Sequence, residues 1–261
     1  MDRTNAVRAA FEAGEPVFGA GASTFAPEVV ETYGLLGFDF VWLDFEHDGP
    51  SPYDARLLND LTRAAEVADT ELLVRLPTPD PRMVRKAYDA GVRNLLIPRL
   101  DTAAEVREAA EAARFVYDGE PGERGAATAR VTCWSGDRDG YVAEEDANVT
   151  IGTMVESATA IGNLDAILDV PELDFAFVGP ADLSTSLGRP DSPDHPETRE
   201  QVARIEKRVA ASDVALAGIV NEPDAVVDAV DRGYDLVRCG GDLSAVRATL
   251  GDRLAEIRDR V

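Results

Sequence analysis

The sequence predicts a (β/α)8 TIM barrel that occupies residues 1–261 as a single domain. Three observations lead there. Apolar runs of strand length recur eight times, with segments of helical periodicity between them. Strands that alternate with helices build a parallel sheet, and eight such units in a chain of about 250 residues match a closed barrel. No GxGxxG follows any of the runs, which removes the main support for an open dinucleotide-binding sheet.

In chain order, a helix over about 4–13 precedes the first strand, PVFGAGAS (16–23). The second strand is FDFVWLDFE (38–46). SPYDARLLNDLTRAAEVA then carries apolar residues at helical spacing behind a Ser-Pro start signal. ELLVRLP (71–77) is the third strand, and the helix DPRMVRKAYDAG, closed by Gly91, leads to the fourth, NLLIPRL (94–100). VTIGTMVES (149–157), FAFVGPADL (175–183), ALAGIVN (215–221) and YDLVRCGG (234–241) complete the series. The clearest of the later helices covers 196–211, opened by HPET. One segment breaks the rhythm, roughly 115–148, too long for an ordinary connection. It carries Arg124, Arg130, Trp134 and Tyr141, a mixture suited to a lid or an oligomer contact.

Charge narrows the function classes. Acidic residues number 49 against 26 basic ones, a net charge of −23. Such a field repels phosphate, which argues against nucleic acid and anionic membrane as partners. Lys86 and Lys207 are the only lysines, and a carboxylate-rich surface poor in lysine fits a protein from high salt. Cys133 and Cys239 lie far apart without metal spacing and are expected to be reduced thiols. The charged N-terminus lacks a signal-peptide core, and no apolar stretch is long enough to span a bilayer, so a soluble, cytoplasmic protein is expected.

Barrel chemistry sits at the carboxyl ends of the strands. The second strand ends in Asp44 and Glu46, on one face, with His47 opening the loop beyond. His47 is one of two histidines, crowded by carboxylates, and imidazole is the usual proton-transfer group near neutral pH. The other, His195, is expected to be exposed or to cap a helix. Arg75 is a cation in an otherwise apolar strand, so it pairs with a carboxylate: Asp44, a substrate, or both. Glu156 and Asp182 each end an apolar strand, where a carboxylate is costly unless a cation compensates. An oxygen-only pair favours Mg²⁺ or Mn²⁺ over zinc. Capping of the following helices is the competing reading, most of all for Asp182. Neither lysine stands at a strand end, so no Schiff-base nucleophile is evident.

GFDFVWLDFEHDGPS, VRLPTPDPRMVRKAYDAGVRNLLIPRLDTAAEV and MVESATAIGNLDAILDVPELDFAFVGPADLSTSLG, in order from about residue 14 to 250, resemble the HpcH/HpaI aldolase family, the metal-dependent class II pyruvate aldolases. The resemblance implies a TIM barrel of the phosphoenolpyruvate/pyruvate-binding type, whose last helix packs on a neighbour to give dimers and then hexamers, as a trimer of dimers. It implies cleavage of 2-keto-3-deoxy or 4-hydroxy-2-oxo acids to pyruvate and an aldehyde through a pyruvate enolate held on a divalent metal (Mg²⁺, Mn²⁺ or Co²⁺). Glu156 and Asp182 match the metal ligands, and the Gly179-Pro180-Ala181-Asp182 turn matches the segment whose N–H groups cradle the substrate carboxylate. Arg75 matches the arginine on the keto oxygen, and Asp44 the acid that positions it. His47 matches the base, acting through water and oriented by an aspartate that matches Asp89.

Two positions depart from the family pattern: Phe45 where glycine is common, and Met154 where a glutamine is. Arg124, in PGERG, is expected to shape the acceptor side or a subunit contact. Two other readings compete: a malyl- or citramalyl-CoA lyase of the same superfamily, and a catalytically silent keto-acid-binding barrel.

Overall fold

The computed structural model describes residues 4–134 and 140–261. In chain order the strands are β1 (Val17–Gly21), β2 (Phe40–Asp44), β3 (Glu71–Arg75), β4 (Asn94–Ile97), β5 (Val116–Tyr117), β6 (Glu120–Pro121), β7 (Thr150–Val155), β8 (Phe175–Val178), β9 (Ala215–Ile219) and β10 (Tyr234–Gly241). Eight of them close a parallel barrel in the order β1-β10-β9-β8-β7-β4-β3-β2, and β5 pairs only with β6 in a small antiparallel hairpin. All eight expected strands are present. Expected β2 overshoots at both ends because Phe38 and Phe45 pack on the core beyond the last ladder pairs.

Alternation along the strands sorts the side chains into two cores. Val41, Leu43, Val74, Ile97 and Val155 face outward against the helices. Phe40, Trp42, Leu73, Leu96, Met154, Phe175, Phe177 and Leu236 fill the interior. Full burial of each such side chain contributes roughly 1.5–3 kcal/mol.

The amino-terminal end of the barrel is plugged. Helix Ala6–Ala13 is capped by Asn5, whose Oδ1 accepts from the Val7 and Arg8 N–H groups. Asn5 Nδ2 also donates to Asn94 Oδ1 at 2.8 Å, and Thr150 Oγ1 donates to the same oxygen at 2.7 Å. Val7 joins the inner core from below. Only the carboxyl end of the barrel is left open for chemistry.

The long interruption corrects one expectation. It joins the end of helix Ala103–Ala113 to the start of β7, so its described residues belong to the amino-terminal end and form no lid over this chain's own strand ends, residues 135–139 lying outside the described part. Arg124 pins it there. Its side chain is fully buried, 3.4 Å from Asp89 and 3.2 Å from Glu145, with its guanidinium over Phe115 and Tyr88. Arg124 therefore does not shape the acceptor side within one chain.

The last helix, Asp242–Arg260, buries no residue and exposes Leu243, Val246, Leu250, Leu254 and Ile257 at three- and four-residue spacing. Among the described residues no helix is long and apolar enough to cross a membrane. Neither Cys133 nor Cys239 forms a disulfide among the described residues.

Candidate active site

The interior alternation that places Trp42, Leu73, Met154 and Leu236 in the core carries Asp44, Arg75, Glu156 and Arg238 into the next layer up, at the open end. Asp44 and Arg75 are register partners on adjacent strands. The Arg75 Nε donates to Asp44 Oδ1 at 2.9 Å, and Nη2 donates to Oδ2 to complete a bidentate pair. Nη1 lies 3.1 Å from Glu46 Oε2 and 3.5 Å from the Met154 sulfur. The guanidinium sits 5.5 Å from the Trp42 ring centroid. The expected Asp44 pair is thus made, Glu46 adds a second carboxylate that was not expected, and Met154 supplies only a weak sulfur acceptor.

Burial would raise Asp44, but the Arg75 hydrogen bond and charge, with the Glu46 and His47 N–H groups, hold its carboxyl below the usual range. Glu156 goes the other way. Burial, then the negative charges of Asp182 and Glu46, push it up to about 7, against the pull of Arg75 and Arg99. Gly179 makes room for it: a Cβ there would lie 3.1 Å from the Glu156 Cβ and 3.3 Å from Oε2.

Neither Glu156 nor Asp182 caps a helix. Ser157 caps helix Ala158–Gly162 by accepting from Ala160 N, and helix Pro180–Ser186 begins at Gly179 without a side-chain cap. Asp182 stands exposed in the first turn of that helix. Glu46 Oε2 is buried beside Arg75 yet lacks a hydrogen bond. Asp44, Glu46, Glu156 and Asp182 share this neighbourhood with Arg75, Arg238 and Arg99, and Glu156 stays raised despite the nearby arginines, so its surroundings lack compensating positive charge. A hard cation on Glu156 and Asp182, completed by substrate or water oxygens, fits that deficit. No group of three or more His, Cys, Asp or Glu among the described residues forms a metal cage by itself.

His47 lies on the loop after β2, with its side chain 61% exposed and Nε2 3.8 Å from Glu46 Oε2. Asp89 is elsewhere. It ends helix Pro81–Asp89, which returns from the carboxyl end of β3 to the amino end of β4, and it pairs with Arg124. Within one chain the expected His47–Asp89 pairing is not made, because the two stand at opposite ends of the barrel. His195 caps helix Pro196–Val209 through Nδ1, as expected of a structural histidine.

Sequence reasoning passed over Trp42 and Arg238. With Asp44, Arg75 and Ile219 they line a cavity of about 140 Å³ at the open end. A larger cavity, about 510 Å³, lies beside Asp213 and Val214 before β9, at the opposite end, away from these groups. Arg238 carried a readable signal, since LVR at the end of an apolar strand repeats the LVR of Arg75.

Known proteins resemble this chain in sequence and in fold. The HpcH/HpaI aldolase/citrate lyase family profile matches residues 19–248. A 2-keto-3-deoxy-L-rhamnonate aldolase of Shigella sonnei is 33% identical over 252 residues, 97% of this chain and 92% of that protein. A hydroxypyruvate/pyruvate aldolase of Roseobacter denitrificans is 32% identical over 94% of each chain. The crystal structure of an HpcH/HpaI aldolase/citrate lyase family protein from Burkholderia cenocepacia superposes with a TM-score of 0.90 at 30% identity, covering 98% of this chain and all of that one. The chain belongs to the HpcH/HpaI aldolase/citrate lyase family and is a carbon–carbon lyase.

Proposed function

We propose that this enzyme cleaves 2-keto-3-deoxy or 4-hydroxy-2-oxo acids to pyruvate and an aldehyde, as a class II aldolase assisted by a divalent cation. One observation carries the reading. Arg75 is held by Asp44 and Glu46 at the open end of the barrel, in the same electrostatic neighbourhood as Glu156. Glu156 is a buried carboxylate that the protein itself does not neutralise.

Glu156 and Asp182 would hold the cation, which supplies Lewis-acid charge to the keto oxygen. This chain's own groups do the rest. Arg75 directs its guanidinium at the oxygen where enolate charge develops, and Asp44 keeps the fork from rotating away. The first-turn N–H groups of Ala181 and Asp182 receive the substrate carboxylate. His47, with Glu46 beside it, moves the proton between water and the hydroxyl or methyl carbon. Trp42 and Phe177, 5.1 Å apart, floor the site and exclude water from below.

The exposed apolar stripe of helix Asp242–Arg260 supports assembly through that helix. A homo-oligomer also gives Asp89 its one route to a His47, that of another copy.

The test is a set of three reactions: aldol cleavage, pyruvate methyl-proton exchange and oxaloacetate decarboxylation. All should cease in excess EDTA and return with Mg²⁺ or Mn²⁺. Full activity in EDTA, or a pyruvate adduct trapped by borohydride, would remove the class II assignment.

A further inference from the structure

Two arginines of the open end, Arg75 and Arg238, differ in what they touch. Arg75 is anchored: each nitrogen of its fork has a partner within the chain in Asp44, Glu46 or Met154. Arg238, on β10, has none. Among the described residues it makes no hydrogen bond and no ion pair, and its Nε is buried without a partner. Its guanidinium lies 6.0 Å from the Trp42 centroid, facing into the same 140 Å³ cavity.

Arg238 is not needed to neutralise Asp44. Both Asp44 oxygens are already taken by Arg75, and Oδ1 also accepts from the Glu46 and His47 N–H groups. The other charged groups around it are Asp242, the Tyr33 phenol and, on the wall of the same cavity, the exposed Asp48. The Asp242 carboxylate is occupied by the Ser23 and Thr24 N–H groups and the Thr24 hydroxyl, and the Tyr33 hydroxyl donates to the Gly21 carbonyl. Burial and the neighbouring Arg75 both oppose its charge. A desolvated donor with no acceptor is destabilising unless a ligand supplies one.

Its placement depends on a missing side chain. A Cβ at Gly21 would fall 2.5 Å from Arg238 Nη2. The barrel closes between β1 and β10 in the register Gly19↔Arg238, and glycine at 21 lets the guanidinium lie across that seam.

We propose that Arg238 is a second anion-recognising residue of this site, taking a carboxylate on the aldehyde half of the substrate. A planar oxyanion matches the arginine fork bidentately. The cavity, about 140 Å³, opens to solvent and has room for a carboxylate on a few carbons. The preferred substrates are then 4-hydroxy-2-oxo acids with a second, distal carboxylate. This assignment to the aldehyde half rests on the aldolase reading above, whereas the anion site itself does not.

Two arms separate them. In the binding arm, the Mg²⁺-loaded protein is titrated with succinate and with butyrate at fixed ionic strength. Wild type should bind succinate at least about tenfold more tightly, the scale of a charge-assisted hydrogen bond, and Arg238→Ala should lose that preference. Arg238→Lys should retain part of it, and Arg238→Gln serves if the alanine variant does not fold. Equal affinities in wild type, or a preference that survives Arg238→Ala, overturns the anion site. In the kinetic arm, glyoxylate is compared with acetaldehyde, and succinic semialdehyde with butanal, each with pyruvate. The ratio of kcat/KM between carboxylated and neutral aldehydes should fall about 10- to 100-fold in Arg238→Ala. An unchanged ratio overturns the assignment to the aldehyde half. Succinate discrimination that depends on Arg238, in a protein showing no aldol, exchange or decarboxylation activity, would sink the aldolase reading and leave the anion site standing.

Discussion

Replacing Glu156 by glutamine should stabilise the metal-free protein at alkaline pH. The Glu156 carboxyl is raised from an ordinary 4.5 to about 7 by burial, with Asp182 and Glu46 adding repulsion. A carboxyl raised on folding binds its proton more tightly in the folded state. Its contribution to stability is complete below pH 4.5 and is lost as pH climbs through about 7. At ~1.4 kcal/mol per pH unit, that gap corresponds to about 3 kcal/mol, and Glu156 is only 7% exposed, so solvent screens little of it. Glutamine keeps the shape and cannot ionise.

The assay is urea unfolding of both proteins in EDTA at pH 5 and pH 8. At pH 5 they should agree closely. At pH 8 the glutamine variant should be more stable by about 2–3 kcal/mol. Asp174, also raised to about 6, shifts both proteins alike and cancels in the comparison. Adding Mg²⁺ or Mn²⁺ at pH 8 should reverse the order, because ligand binding stabilises only the protein that can hold it. If the two proteins unfold together at pH 8 in EDTA, Glu156 is not an uncompensated buried carboxylate. The electrostatic case for a cation there then collapses.

Arg75→Ala should lower aldol cleavage and oxaloacetate decarboxylation alike, by roughly 10²-fold or more, with Arg75→Lys rescuing only in part; decarboxylation at the wild-type rate would take Arg75 off the enolate oxygen. His47→Ala should cut pyruvate methyl-proton exchange by roughly 10²–10⁴-fold while sparing decarboxylation; normal exchange in folded, metal-loaded protein would hand the base role to Glu46. Leu250→Glu, in the exposed stripe of the last helix, should shift the assembly toward smaller species in sedimentation, and an unchanged profile would place the interface elsewhere. With a net charge of −23, the melting temperature should rise from dilute buffer to multimolar KCl as screening shortens a Debye length of roughly 10 Å at 0.1 M. A flat profile would count against adaptation to high salt.

Period-two alternation made most of the site legible in advance. A charged residue two positions beyond an inward apolar one must enter the layer above it, which is how Asp44, Arg75 and Glu156 were readable from their strands. What stayed hidden depends on which end of the barrel a segment reaches, and on barrel closure. The 115–148 interruption read as a possible lid because its residues suit one. Its position between a helix end and a strand start already assigns its described residues to the far end, where Arg124 and Asp89 meet. The resemblance supplied a role for Asp89 without saying which copy's His47 it would serve, and one chain holds them apart. Arg238 repeats the signal of Arg75, but its meaning comes from the seam between the first and last strands. There Gly21 yields the space, Trp42 supplies a ring, and Asp44 is already taken by the other arginine. Each of those residues is unremarkable in its own segment. A cation left without a partner exists only once the closing register Gly19↔Arg238 is made, so tertiary closure, and not local pattern, decides that the site has an anion receptor.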